Sequence, residues 1–268
     1  MARILRGAVQ VLARVWLIVV LIVLWELASR GAKESYFPAP SVILPALQDL
    51  WFSGPVTHLF LSDQAFTDFA PSLGHLLTGW ALAALVGVVL GTFLGRFRVA
   101  AEYLEPLLQF GRAVPPPTLI PFFLVVFKLQ ASMYILLIAF SVIWPVLLNT
   151  MDGVRTIDSV QLDTARVYAI TGWQRLFHLI LPAAAPKIFA GLRVSIGFAV
   201  ILMVLSELVG TNSGIGAELI NAQRGFEIPK MWAGIVFLGV LGYALNGAFL
   251  LAERRLLAWH RGARKQDS

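Results

Sequence analysis

Six long apolar runs, separated by polar and proline-rich segments, set out the chain. The first is unbroken from Val15 to Trp25 (VWLIVVLIVLW) and follows Arg3, Arg6 and Arg14. A basic start before a short apolar core also fits a cleaved secretory signal. The small residues Ala28 and Ala32 make a poor cleavage site, so the run predicts a retained span from about Gly7 to Ser29. Four further runs, near 72–95, 132–150, 188–209 and 231–251, each approach the roughly 20 residues that cross a bilayer as a helix. Between 30 and 71, five prolines and three aspartates predict an extramembrane loop with short helices, one of them capped by Ser41.

The second run carries Gly79, Ala83, Gly87, Gly91 and Gly95, each four residues after the last. At 3.6 residues per turn they share one helix face, where small side chains let another backbone approach closely. The remaining run follows Arg96 and Arg98 and contains AVPPPTLIPFFLVVF. Pro115, Pro116, Pro117 and Pro121 offer no backbone donors, so they either break a span at membrane depth or open one as first-turn residues.

Composition agrees with this plan. Of 268 residues, 58% are hydrophobic and 13% charged, half the charge of an ordinary soluble domain. Disorder and collagen-like structure are excluded as well. Six spans leave no room for a further soluble domain of any size. With no cysteine, disulfides and thiolate chemistry are absent. The net charge of +6 would suggest nucleic acid in a soluble protein. Here the cations fall between apolar runs. With six spans and a cytoplasmic N-terminus, only Arg30, Lys33, Lys128, Arg224 and Lys230 lie outside, and the other sixteen of the 21 Lys and Arg lie inside. The positive-inside rule therefore places both termini in the cytoplasm and makes nucleic acid an unneeded partner. The expected organisation is a first helix with its periplasmic loop (1–71), a core of five helices (72–255) with a cytoplasmic loop at 151–187, and a basic tail (256–268).

Reaction chemistry is missing. No G-x-x-x-x-G-K-[ST] cradles nucleotide phosphates, no H-E-x-x-H or G-x-S-x-G occurs, and the four His lack metal-ligand spacing. Acidic residues are rare within the runs, which argues against a carboxylate proton relay. No catalytic residue, metal site or cofactor is expected in this chain, so a transporter of this kind needs an energising partner. The rival is a self-sufficient secondary transporter or channel.

The polar stretch TIDSVQLDTARVYAITGWQRLFHLILPAAAP, 156–186, predicts two short helices. Asp158 caps the first. Thr171 and Gln174 form a capping box for the second, Gly172 relaxes the corner, and Pro182 marks a stop or kink. A structured helix pair suggests a docking surface for a cytoplasmic protein.

This stretch resembles the coupling signature of permease subunits of binding-protein-dependent ABC importers: E-A-A, three residues, G, nine residues, I-x-L-P. Asp163, Thr164 and Ala165 stand at the E-A-A positions, Ala169 at the glycine, Leu179 at the isoleucine, and Leu181 and Pro182 close it. The passages GWALAALVGVVLGTFLGRF, PLLQFGRAVPPPTLIPFFLVVF, SELVGTNSGIG and LLAERRLLAW are similar to the sulfonate, nitrate and taurine branch. The resemblance implies an all-α integral inner-membrane protein with the six transmembrane helices of a type I (MetI-like) permease. It implies a second copy of the chain and two cytoplasmic P-loop ATPase subunits, which use ATP and Mg. It further implies a periplasmic or lipid-anchored solute-binding protein.

The candidate ATPase-coupling residues are therefore Asp163, Thr164, Ala165, Tyr168, Ala169, Gly172, Leu181 and Pro182. Among polar or small positions on the apolar helices, Thr118, Ser141, Asn149, Ser195, Met203 and Glu207 are candidates for the solute path or gate. Glu207 is alternatively a cap for the loop that follows it.

Overall fold

The computed structural model describes residues 2–32, 36–209 and 213–258, with side chains from residue 16 onward. Among these residues there is helix and no strand. The helices are α1 (Ala2–Ala32), α2 (Pro40–Trp51), α3 (Asp63–Arg96), α4 (Arg98–Ala113), α5 (Ile120–Phe127), α6 (Ala131–Arg155), α7 (Ser159–Val167), α8 (Gly172–Arg175), α9 (Leu181–Glu207), α10 (Ile215–Arg224) and α11 (Ile228–Leu256). Four stretches are long and apolar enough to cross a membrane: Val56–Arg96, Ala131–Arg155, Gly172–Glu207 and Ile228–Leu256. A fifth is a bent pair, Arg98–Ala113 with Pro116–Phe127, folded through 87°. α1 covers the first apolar run, and its residues 16–24 are all exposed.

The prolines of the third run do both things the sequence allowed. Val114 is extended (φ −70°, ψ 119°), since a residue before proline is driven out of helical geometry. A 3₁₀ turn, Pro116–Leu119, follows, and Pro121 then sits in the first turn of α5. Thr118 returns both its amide (3.0 Å) and its hydroxyl (2.7 Å) to the Pro115 carbonyl, so the break does not leave that oxygen bare. The eight residues of α5 rise only about 12 Å, less than half of a hydrocarbon core about 30 Å thick. The third run is thus sharply bent at its prolines.

By its contacts the chain divides into two units: residues 1–68 with 218–237, and residues 69–217 with 238–268. In the first, Trp25 stacks on Phe37 (5.7 Å between centroids) and meets Trp232 at 5.3 Å. The Trp232 indole donates to the Tyr36 carbonyl at 3.0 Å. Ser41 does not cap α2. The cap position is Ala39, with Pro40 in the first turn, and Glu26 of α1 accepts from the Ser41 amide (3.0 Å) and hydroxyl (2.7 Å). A carboxylate thereby takes one orphan donor of the first turn, favoured by the helix dipole. Near Asp68, which accepts from the buried Trp51 indole at 2.8 Å, burial and the Asp68 charge raise the Glu218 carboxyl above the usual glutamate range.

The second unit is organised on α6, whose largest helix contact is with α9. The glycine face of α3 lies against α6: an added Cβ would come within 2.8 Å of the Ile135 carbonyl at Gly79, 2.6 Å of the Leu147 carbonyl at Gly91 and 2.6 Å of Val154 at Gly95. At Gly87 it would meet Val146 at 2.9 Å, and Ala83 is buried. α9 meets α6 through Gly191, where a Cβ would fall 2.7 Å from the Pro145 carbonyl. Gly91→Leu is therefore expected to lower stability by about 1–3 kcal/mol through overpacking against backbone that cannot yield. Gly74→Leu, on the same helix with open space, should change little. Thermal midpoints of the two variants in detergent compare them directly.

Candidate functional site

The hairpin between α6 and α9 is built from local signals. Asp158 caps α7, its carboxylate accepting from the Val160 amide at 2.9 Å. At the other end the Ile170 amide bonds the Ala165 carbonyl (2.8 Å) and the Ala169 amide bonds Arg166 (3.0 Å). These are the two bonds of a Schellman cap, which needs a left-handed residue after the helix. That residue is Ala169, at φ 52°. It stands where the coupling signature has glycine, so the motif glycine has a backbone reason, and alanine bears roughly 1–2 kcal/mol of strain there.

The capping box expected at Thr171 does not form: Thr171 makes no side-chain cap bond. Gly172, the first residue of α8, is itself left-handed (φ 56°), which takes Thr171 off the path that reciprocal capping requires. Nor does Pro182 stop the chain. α8 passes through a π-helical turn, Leu176–Ile180, directly into α9, and the whole of Gly172–Glu207 is one stretch of 36 residues. Pro182 cannot donate to the residue four before it. The widened turn, in which the Leu181 amide reaches Leu176, absorbs the misfit. The helix that carries the fifth apolar run thus begins well before Ile188.

The hairpin presents an apolar ridge. Val167, Tyr168 and Trp173 are exposed at 83%, 75% and 74%, and Trp173 stacks on Phe177 at 5.7 Å. Val160, Asp163, Thr164, Val167 and Tyr168 line a shallow groove of about 420 Å³. Asp163 pairs with Arg166 at 2.7 Å, and the Thr164 hydroxyl turns back to the Val160 carbonyl at 2.7 Å. Ala165 is buried, so its small size serves packing within the chain, not the outward surface.

The profile of the family described as binding-protein-dependent transport system inner membrane component matches residues 83–258. The chain belongs to this family. An aliphatic sulfonates transport permease protein of Bacillus subtilis is 32% identical to the permease over 242 residues, covering 90% of this chain and 84% of the relative. A nitrate import permease protein of a Synechocystis species is 29% identical, covering 85% and 83%. The fold is similar to that of a chain in an inward-facing methionine ABC transporter, with a TM-score of 0.58 at 19% identity, over 69% of this chain and 92% of that one. The permease is thus a multi-pass membrane protein of a transport system, in the sulfonate and nitrate branch.

The six path candidates are scattered. Ser195 and Met203 have no exposed surface; Ser195 accepts from the Trp80 indole at 2.8 Å and donates to the Leu192 carbonyl. Ser141, also buried, donates to the Leu137 carbonyl, and the Asn149 amide donates to Pro145 at 2.8 Å. Ser195, Ser141 and Asn149 thus bond within the helix bundle, Met203 is packed in it, and Thr118 bonds at the proline break.

Glu207, 1% exposed, ends α9 and holds the start of α10. Its carboxylate accepts from Ser72 (2.8 Å) and from the Gly216 amide (3.0 Å), while the Ser72 hydroxyl accepts from the Ile215 amide (2.9 Å). His75, stacked on Tyr134, stands 3.7 Å away. Glu207 thus makes the bonds expected of a cap.

A sequence reading that took Arg98–Ala113 as the start of a span missed its polar edge. Arg98, Glu102, Glu105, Gln109 and Arg112 are spaced by four, three, four and three residues, which puts them on one side of α4. That spacing was the available signal.

Two outcomes follow from this geometry. Ala169→Gly should stabilise the hairpin by about 1 kcal/mol, and Ala169→Val should destabilise it by more, read as thermal midpoints of the purified protein. Glu207→Ala should speed hydrogen exchange at the Ile215 and Gly216 amides by about ten- to a hundredfold, the loss of a hydrogen bond to a charged group.

Proposed function

We propose that the permease is the translocation subunit of an ATP-driven importer, working as a dimer on a small anion such as an aliphatic sulfonate, taurine or nitrate. Separate ATPase subunits bind the α7–α8 hairpin from the cytoplasm, and a binding protein delivers solute at the opposite side. The supporting observation is the exposed apolar surface of Val160, Val167, Tyr168, Trp173 and Phe177 on the hairpin, in a chain without a nucleotide-binding loop. Exposed aromatic side chains on a firmly capped element are what an interface needs as anchors.

Such a subunit does no chemistry of its own. Alternation between outward- and inward-open states is set by differential affinity of the motor for the two, and the hairpin is the handle. The relatives' cargoes are anions, which motivates the substrate class.

The test is a double variant, Val167→Asp with Tyr168→Ala, on the solvent face of α7. Two anchors at about 2 kcal/mol each predict a loss of ATPase-subunit affinity approaching about a thousandfold, with folded yield unchanged. Pull-down of the ATPase subunit and solute-stimulated ATP hydrolysis in proteoliposomes measure it. Retained affinity, or solute uptake by the chain alone, would overturn the reading in favour of a self-sufficient transporter or channel.

A further inference from the structure

At the hairpin end of the second unit lies a cavity of about 800 Å³. Its polar wall carries Arg96, Arg98, Arg155 and Arg175 against Glu102 and Glu105, an excess of two positive charges. The rest is apolar, including Phe97, Val154 and Ile180. Arg98 is paired with Glu102 at 3.0 Å. Among the described residues, Arg96, Arg155 and Arg175 have no carboxylate partner. The Nε of Arg175 is buried and has no hydrogen-bond partner. Arg155 and Glu105 also line a small adjoining cavity of about 40 Å³ with Gln109 and Arg112, so the basic wall continues along the polar edge of α4.

An unpartnered buried guanidinium N–H is costly, and several guanidinium groups around one space repel one another. A planar fork of donors matches a carboxylate-, sulfonate- or phosphate-type group. We propose that this cavity binds a small oxyanion, and that the bound anion ties the hairpin to the ends of α3 and α6. The arginines come from four elements: α3, α4, α6 and α8. An anion between them replaces mutual repulsion with shared hydrogen bonds and restrains α8. This effect on turnover rests on the proposed coupling role of the hairpin: restraint slows the motor, so solute accumulated on the inner side limits its own import. The same chemistry is available from the phosphate of an anionic lipid headgroup.

The experiment uses the complete complex with its ATPase and binding-protein partners, in nanodiscs of phosphatidylcholine alone or with added phosphatidylglycerol. Sodium sulfate or ethanesulfonate is titrated against sodium chloride at equal ionic strength. Anion-induced thermal shift and ATP hydrolysis are both read. In phosphatidylcholine, sulfate should raise the midpoint and slow hydrolysis. Arg155→Gln with Arg175→Gln should weaken the half-effect concentration about tenfold or more, Arg155→Lys less, and Arg193→Gln not at all. If only phosphatidylglycerol produces an arginine-dependent shift, the oxyanion is the lipid headgroup and the site stands. A shift without slowed hydrolysis keeps the site and overturns its link to the motor. Anion responses independent of Arg155 and Arg175 in both lipids overturn the proposal, whatever the complex transports. Failure of ATP-driven anion uptake, with the shift intact, would count only against the proposed importer activity.

Discussion

Close backbone approach along α6 is the constraint on which the second unit depends. Inside a bilayer, lipid tails are as apolar as leucine, so helices gain little by hiding hydrophobic surface from lipid. They associate through dispersion contacts, which fall off steeply with separation. Glycines on α3 and Gly191 on α9 bring two neighbouring backbones onto α6. Large side chains elsewhere on these helices can then face lipid without loss. The exposed apolar surface of α3 and α9 is consistent with that division.

Several polar groups are satisfied close to where the chain breaks regularity. Thr118 covers the carbonyl freed beside the prolines, Glu207 takes the Gly216 amide at the start of α10, and Glu26 takes the Ser41 amide of α2. Several residues that looked like a solute path in the sequence make bonds of this kind within the chain. A polar residue in an apolar run has the same one-letter signature whether it bonds a carbonyl or a solute. Only its partner distinguishes them, and Ser195 with Trp80 shows the distinction.

The spans, the small-residue face of α3 and the Asp158 cap were legible because each depends on spacing along one element. The break in the third run was legible as a pair of alternatives, since proline chemistry permits both. Less legible was whatever depends on geometry across several residues. Ala169 carries a left-handed backbone without being glycine, so composition hides it. The π turn hid the continuity of α8 with α9, because Pro182 reads as a terminator unless the turn before it widens. The basic cavity draws on four elements, and no single stretch announces it. Ala165 was readable as small, but not as inward-facing.

The unbroken run from Gly172 to Glu207 has a mechanical consequence. At about 1.5 Å per residue it is a rod roughly 54 Å long, longer than the bilayer is thick. Its proximal tip carries the stacked Trp173 and Phe177, and its distal tip grips the first amides of α10. A push on one tip reaches the other without crossing a flexible joint. Such a lever can twist or bend at the five-residue wide turn just ahead of Pro182 and at Pro186 inside α9.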